Sequence, residues 1–506
     1  MTDRRLLPPA VDLLLPALAG SRVWAVGGSV RDVILGRLSQ DVDLVVDGDA
    51  VALGRRLANE AGADYFELDP DRGTGRMLLT TARGVRTIYD FTRLQAGSIE
   101  LDLRLRDFTV NAMAVAVDDP GRLIDPTGGL EHLRRRWLEA CTPRAVLDDP
   151  IRAVRAVRIA AELEARISPE TVAQIRDAAR LLGEVSAERL RDELFRLLGL
   201  PSPAPSLRLM DHLGLLTAVL PELEPLRGLG QPLSHAFDAL THTLATVEGL
   251  ERILTVLLAP EGEERAADLA SGLTVHRLGR FRRSLGEYLG AQVSFGRTRR
   301  QGLLFAALLH DVGKARTRAM DSDGTVRFLG HERVGAAMAV DSCRRLSLSL
   351  AETAEIETIV AEHQRPGWLE KTPPLSRRAV YRYFRSTQST GVAVALLSLA
   401  DLLAKHVPPV PQDAWASRLD IARELLEAWF EGRSEKIEPD LLFNGTDVMQ
   451  LVGVPPGPTV GLLLEDLREA QASGEVGSEA EARAFVLSRY EQLRAAGAAG
   501  TGDAPG

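Results

Sequence analysis

The chain has 506 residues, 45% hydrophobic and 26% charged, with a formal net charge of −9. This is the composition of an ordinary soluble protein with several domains and ample cores, and it excludes a uniformly basic nucleic-acid binder. Any RNA contact is therefore expected on a local basic stripe. The longest uncharged apolar run, Gly391 to Ala400, stops at Asp401 and is far short of the roughly 18 residues a membrane span needs. The N-terminal apolar run carries Asp12 and several prolines and reads as a small helix, not a signal peptide. Two distant cysteines, Cys141 and Cys343, suit a reducing compartment, and the expected location is cytoplasmic, with no membrane partner.

The first informative stretch is Val23 to Val46. A short apolar strand, Val23 to Val26, breaks at Gly27-Gly28, and a helix is predicted from Ser29 to about Leu35. After a turn at Gly36, a second strand carries Asp41 and Asp43. Strand side chains alternate, so the two carboxylates share a face, where a divalent cation would relieve their repulsion. The Gly-Gly-Ser turn permits close backbone approach to a phosphate, and the following helix offers free N–H groups. Together these are parts of a nucleotidyl transfer site. A surface turn with two solvated aspartates, or another kind of phosphate loop, is the plainer reading.

A helix is expected near Ala50 to Ala61, then strands at 64–68, 76–80, 85–90 and 110–117, forming a small mixed sheet with helices on one side. Asp90 closes one of these strands and is either a third carboxylate or the cap of a turn. Residues 101–115 read LDLRLRDFTVNAMAV, in which Arg106-Asp107 is a local ion pair or part of a site. In VLDDPIRAVRAVRIAAEL, Asp148 or Asp149 can cap a helix and Pro150 fits its first turn. Arg152, Arg155 and Arg158 recur every three residues on one broad face. They form a ligand surface or a solvated stripe paired with Glu162 or Glu164. Residues 186–198 form a further helix, with Ser186 as its cap and structural roles for Arg191 and Arg196. Residues 200–206 are a linker-like turn.

Farther on, His242, His310-Asp311, His331, His363 and Asp401 recur within apolar helical segments, a density that a lone structural histidine does not explain. Residues 259–298 read as an exposed insertion or a pair of solvated helices. Residues 441–490 read as short helices punctuated by glycine, and the Ala/Gly-rich 493–506 as a disordered tail.

GGSVRD at 27–32 followed by DVD at 41–43 resembles the head of the tRNA nucleotidyltransferase and bacterial poly(A) polymerase family, of the class II CCA-adding type. Asp102, Arg106, Asp107, Asn111 and Ala112 match a further signature of that family, while Leu105 stands where the first of two arginines is usual. LIDPTGGLE, the Asp148-Asp149-Pro150 run with Arg152, and the 186–198 helix match later blocks. The set around His310-Asp311-Val312-Gly313-Lys314 resembles an HD phosphohydrolase domain.

The resemblance implies an α+β protein. A nucleotidyltransferase head (1–137) precedes a helical neck (138–230), an HD domain (231–430), a C-terminal helical domain (431–492) and the tail. It implies Asp41 and Asp43 as ligands of catalytic Mg²⁺, with Asp90 as a third acidic group that binds metal or activates the attacking hydroxyl. It assigns nucleotide contacts to Gly27, Gly28, Ser29, Arg31, Asp32, Arg106, Asn111, Asp149, Arg152, Arg155 and Arg158. Asp149 and Arg152 would read the Watson–Crick edge of the base. His242, His310, Asp311 and Asp401 would hold a divalent metal of unspecified identity, and His331 with His363 a second.

The implied reaction is template-independent addition of C and/or A to the tRNA 3′ acceptor end, from CTP and/or ATP, with release of pyrophosphate. The connection between Asp90 and Asp102 is short, where full CCA-adding members often carry a longer loop, so a CC-adding or A-adding specialist is an alternative. A poly(A) polymerase is another, and an HD-type phosphohydrolase with a degenerate head is the alternative of a different class.

Overall fold

A computed structural model describes residues 5–499 except 72, 81–83, 85, 233–236, 261, 263–267, 372 and 408. The chain forms two compact units, one of Met1–Leu200 with Pro205–Val219, the other of Pro201–Ala204 with Leu220–Gly506.

The first unit is built on a seven-stranded sheet. Its strands are β1 (Val23–Val26), β2 (Asp41–Val46), β3 (Asp64–Asp69), β4 (Thr74–Thr80), β5 (Arg86–Arg93), β6 (Ala114–Ala116) and β7 (Leu123–Ile124), in the order β3-β4-β5-β2-β1-β6-β7. Only β2 and β5 run parallel, and their register sets Asp43 beside Asp90 and Leu44 beside Phe91. Because side chains alternate, Leu44, Phe91 and Ala25 face one side while Asp43, Asp90 and Val26 face the other. The helix Ala50–Ala61 covers the apolar side with Leu53, Leu57 and Ala58, capped by Asp49, whose carboxylate accepts from Ala52 N. Gly54 is its point of close approach, since a Cβ there would lie 2.9 Å from both Phe91 and Tyr65.

Two expectations change here. Helices are not confined to one side, because Ile99–Arg104 packs Ile99 and Leu103 on Trp24, Val26 and Val45 of the carboxylate-bearing face. The strand expected over 110–117 is a single turn of 3₁₀ helix, Thr109–Asn111, followed by the shorter β6. Buried Thr109 and Val110 pack in that turn beneath the helix Gly129–Arg134, and the chain extends only after Ala112.

Beyond the sheet, Ile151–Glu162 and Ala187–Leu198 pack against each other. Neither has the side-chain cap expected for it. Pro150 occupies the N-cap of the first, and the Ser186 side chain makes no cap hydrogen bond in the second. Asp148 and Asp149 are engaged by arginines instead, Arg144 and Arg189 respectively.

The second unit is helical. Ala239–Leu258 is flanked by Arg299–Leu309 and by Gly391–Lys405, whose residues are almost all buried. The run Arg377–Lys405 is the one stretch of described residues apolar and long enough to cross a membrane, and 89% of its most apolar window is buried inside the fold. The 259–298 region contains two amphipathic helices, Leu269–Leu278 and Arg282–Gly290, that bury Leu278, Leu285 and Leu289. The C-terminal helices Gly445–Val452, Pro458–Ser473 and Glu479–Ala499 have their own core around Phe443, Leu463, Leu467 and Val486. The last helix continues past the expected tail boundary at 492, because Leu493 still packs on that core. Residues 500–506 lie outside the described residues.

Candidate active site and candidate metal centre

In the first unit the turn after β1 approaches the end of β2. Gly27 has φ 75° and ψ −142°, a backbone region that L side chains rarely enter. A Cβ there would lie 3.0 Å from Asp43 Oδ2 and 3.0 Å from Arg106 Nη1. Glycine is therefore what allows turn, carboxylate and guanidinium to converge. Asp41 is exposed and Asp43 partly buried on the same face. Burial pushes the Asp43 carboxyl up to about 6; Arg106 opposes the rise, while Asp90, Asp41 and Asp107 add to it. A group of carboxylates that resist joint ionisation is what a divalent cation neutralises, so the donor set fits one.

Asp90 lies beside Asp43 in register, but both its oxygens are taken by Arg76. Arg76 Nε donates to Oδ1 and Nη2 to Oδ2, each at 2.8 Å. Sequence reasoning passed over Arg76, because only the antiparallel pairing of β4 with β5 sets it opposite Asp90.

Ser29, Arg31, Asp32 and Asn111 come together, with much of their bonding capacity spent on one another. The Ser29 hydroxyl donates to Val26 O at 3.1 Å, so what the turn offers a ligand is backbone. Arg31 donates through Nε and Nη2 to Asp32 Oδ1 and through Nη1 to Asn111 Oδ1 at 2.8 Å.

The Ile151–Glu162 helix divides its arginines. Arg152 donates from Nη1 to Ala145 O at 3.1 Å and from Nη2 to Leu105 O at 3.3 Å. Its Nε, like Arg106 Nε, is buried with no hydrogen-bond acceptor among the described residues. Asp149 Oδ2 accepts from Arg189 Nη2 at 2.7 Å and lies 3.7 Å from Arg152 Nε. Arg155 and Arg158 instead turn inward and share Glu193, each donating from Nε at 2.9 Å. Arg155 also reaches Asp107 at 3.3 Å, and Arg158 reaches Glu162. The Asp107 carboxyl sits below its ordinary range because Arg155 and a bond from Phe108 N outweigh its burial. Glu193 carries a local sequence signal, since it falls on the apolar stripe of its helix, between Leu190 and Leu197, where a charge needs a partner.

In the second unit the six His and Asp residues form one buried centre. His242, His310 and Asp401 converge as one triad, and Asp311, His331 and His363 as another. Asp311 lies between them, with Oδ2 3.2 Å from His310 Nε2 and 3.4 Å from His242 Nε2, and Oδ1 3.3 Å from His331 Nε2. Gly313 presses the turn carrying His310 and Asp311 against the helix His331–Arg345, since a Cβ there would lie 2.0 Å from His331 O.

Nδ1 of His310, His331 and His363 lies 2.8, 2.7 and 2.7 Å from the carbonyl oxygens of Ala307, Phe328 and Val360. Those carbonyls only accept, so each Nδ1 carries a proton and each Nε2 is turned into the centre, the atom a metal ligand would present. Burial, with His310 nearby, pushes His363 down to about 3. Despite burial the carboxyls of Asp311 and Asp401 are held well below their ordinary range, Asp311 by His310 and Lys314, Asp401 by Lys405 and His242. This donor set fits divalent metal.

A seven-stranded sheet with an Asp-x-Asp strand beside a glycine turn, followed by helices and a buried His/Asp centre, defines a nucleotidyltransferase of polymerase-head type with an HD domain. The family models agree. Residues 23–139 match "Poly A polymerase head domain", 166–226 match "Probable RNA and SrmB- binding site of polymerase A", and 275–404 match "HD domain". The chain is 35% identical over 473 residues to an A-adding tRNA nucleotidyltransferase of Deinococcus radiodurans, covering 92% of this chain and 95% of the relative. It is 34% identical over 489 residues to a CC-adding tRNA nucleotidyltransferase of Thermus thermophilus, covering 95% and 96%. The chain belongs to the tRNA nucleotidyltransferase family. Its fold matches that of a Thermotoga maritima CCA-adding enzyme complexed with tRNA_CCA, with a TM-score of 0.59 at 20% identity over 96% of this chain and 97% of that one.

Proposed function

We infer that this enzyme adds C and/or A residues to the 3′ end of tRNA without a nucleic-acid template. The observation that carries the reading is the convergence of Asp43, Arg106 and the Gly27 turn, beside an Arg152 whose Nε still lacks an acceptor. Asp41 and Asp43 would hold the divalent cation, Mg²⁺ in our reading, which supplies neutralisation of the triphosphate and acidification of the primer hydroxyl. Arg106 faces the triphosphate, and the backbone N–H groups after Gly27 bind its oxygens. Asp90, once Arg76 lets go of it, orients the attacking 3′-hydroxyl. Asp149 accepts from the exocyclic amine of the base, and Arg152 donates to its ring acceptors. Arg189 and the carbonyls of Ala145 and Leu105 fix both side chains in place. Arg155 and Arg158 support the helix and do not touch the nucleotide.

Arg152→Ala is expected to relax base choice by about ten- to hundredfold in relative kcat/KM for CTP and ATP, each buried polar group left unpaired costing roughly 1–3 kcal/mol. Unchanged discrimination with a uniform loss of rate would remove Arg152 from selection.

A specialist is the reading favoured by the short connection between β5, ending at Arg93, and the helix beginning at Ile99. tRNA transcripts ending at the discriminator, at C and at CC, each given Mg²⁺ and labelled CTP or ATP, decide it. Two C residues on the first and one on the second, with no A on the third, indicate a CC-adding enzyme, and A on the third alone an A-adding one. CC followed by A indicates full CCA addition. Failure to extend any of them would end the transfer reading.

The HD centre we read as a divalent-metal phosphohydrolase site. The inward-facing imidazoles around bridging Asp311 support this.

A further inference from the structure

The chain uses arginine almost wherever it needs a cation, with 57 arginines and only four lysines, Lys314, Lys371, Lys405 and Lys436. Two of those four stand in the HD centre, each on a different buried aspartate. Lys314 Nζ donates to Asp311 Oδ2 at 2.6 Å, and Lys405 Nζ to Asp401 Oδ2 at 2.6 Å. A lysine is a compact point charge on a flexible stem, whereas an arginine is a broad fork that engages a carboxylate through two parallel bonds. Keeping lysine at these two places fits a need for a compact cation beside each carboxylate.

The two are not equivalent. The Lys314 side chain is 7% exposed and is tied also to Gln231 Oε1 at 2.6 Å, with its ammonium 5.7 Å from the centre of the Phe328 ring. It is held from several sides. The Lys405 side chain is 27% exposed and stands on the wall of a cavity of about 390 Å³ that opens onto Asp311, His331, His363 and Asp401. Asp401 itself is divided. Its Oδ1 faces His242 Nε2 at 3.1 Å and His310 Nε2 at 3.9 Å, toward the metal triad, while Oδ2 is turned to Lys405.

We propose that Lys405 is the anion-docking residue of the HD centre, leaving Asp401 to bind a phosphate group, inorganic or as a monoester, once a divalent cation draws on that carboxylate. The proposal rests on the phosphohydrolase reading of the HD centre. His242, His310 and Asp401 would hold the cation, which would draw on the carboxylate charge that the ammonium now uses. A phosphate in the cavity would then give the flexible Lys405 side chain a full negative partner. Lys314 stays on Asp311 and Gln231 and supplies a fixed background charge. Exposed Trp368, with Phe328, lines the same cavity and leaves room for an organic group on the ester.

The test uses the full-length protein loaded with Mn²⁺, whose content is measured by elemental analysis, with binding of radiolabelled inorganic phosphate followed by equilibrium dialysis. His310→Ala, which removes a triad ligand, reports phosphate held elsewhere on the chain. We expect Lys405→Ala to keep the Mn²⁺ content and melting temperature of the wild type. It should bind the HD-dependent phosphate about tenfold or more weakly, as expected for the loss of one charged hydrogen bond. Lys405→Arg should recover part of that affinity. With p-nitrophenyl phosphate the loss should fall on KM more than on kcat.

Unchanged phosphate binding by Lys405→Ala with its metal intact would overturn the proposal, and so would loss of Mn²⁺ from that variant, which would make Lys405 a support of the metal ligand. If the wild type itself shows no phosphate binding beyond that of His310→Ala, the phosphohydrolase reading fails and the proposal with it.

Discussion

Asp43→Asn is expected to abolish nucleotidyl transfer, by more than about a thousandfold in kcat, while making the metal-free protein more stable. The loss of rate follows from removing one of the two carboxylates that hold the cation in the proposed reading. The gain in stability follows from the strain on that carboxyl, which burial first, and Asp90, Asp41 and Asp107 after it, raise from 3.8 to about 6. A carboxyl whose folded pKa lies above its unfolded one binds its proton more tightly in the native state. Its contribution to stability is complete below about 3.8 and is lost as the pH rises through about 6. Above that range ionised Asp43 weakens the metal-free fold by up to about 3 kcal/mol, which asparagine does not. In chelator, the melting temperature of Asp43→Asn should therefore exceed that of the wild type clearly at about pH 8 and by much less at about pH 4. A gap that does not change with pH would mean that Asp43 is not the strained carboxyl. Added Mg²⁺ should raise the melting temperature of the wild type by more than that of the variant, which keeps only the HD centre to bind it.

Glu193→Gln is expected to be the most damaging single change in the helical part of the first unit, costing about 3 kcal/mol or more. The Glu193 side chain is 5% exposed and lies between the guanidiniums of Arg155 and Arg158, whose side chains are 30% and 12% exposed. Removing the charge leaves two cations desolvated against each other, with Asp107 and Glu162 as the remaining carboxylates. Burial alone would raise the Glu193 carboxyl, but Arg158 and Arg155 outweigh it and hold it below the ordinary range. Such a group stabilises the fold above its unfolded pKa, and that contribution disappears as the pH falls through the lower folded value. The stability difference between wild type and variant, read from urea unfolding, should be widest near neutral pH and close in acid. A cost under about 1 kcal/mol would instead return Arg155 and Arg158 to the role of free ligand arginines.

These two residues illustrate different degrees of legibility. Asp43 was evident from the chain, because a carboxylate pair at strand spacing after a glycine break is a local pattern with a direct chemical meaning. Glu193 was not, because its partners are more than thirty residues away and the three arginines of the Ile151–Glu162 helix look alike by spacing. The six His and Asp positions of the second unit were legible as a set. Their division into two triads joined by Asp311 was not.

By itself the sequence determined the α+β head followed by helices, the Asp41/Asp43 pair, the Gly27 turn and the set of His and Asp residues that gather in the HD domain. Those features rest on periodicity, on backbone sterics and on residue chemistry that act over a few neighbours. Only the tertiary structure decided that Asp90 is locked by Arg76, that Arg152 and Arg106 keep a buried Nε without an acceptor among the described residues while the Nε of Arg155 and of Arg158 donates to Glu193, and that Lys405 lines the cavity opening onto the His/Asp centre. Those outcomes depend on strand register and on helix packing across long sequence separations. There, burial forces each charge to find the partner that the fold happens to bring within reach.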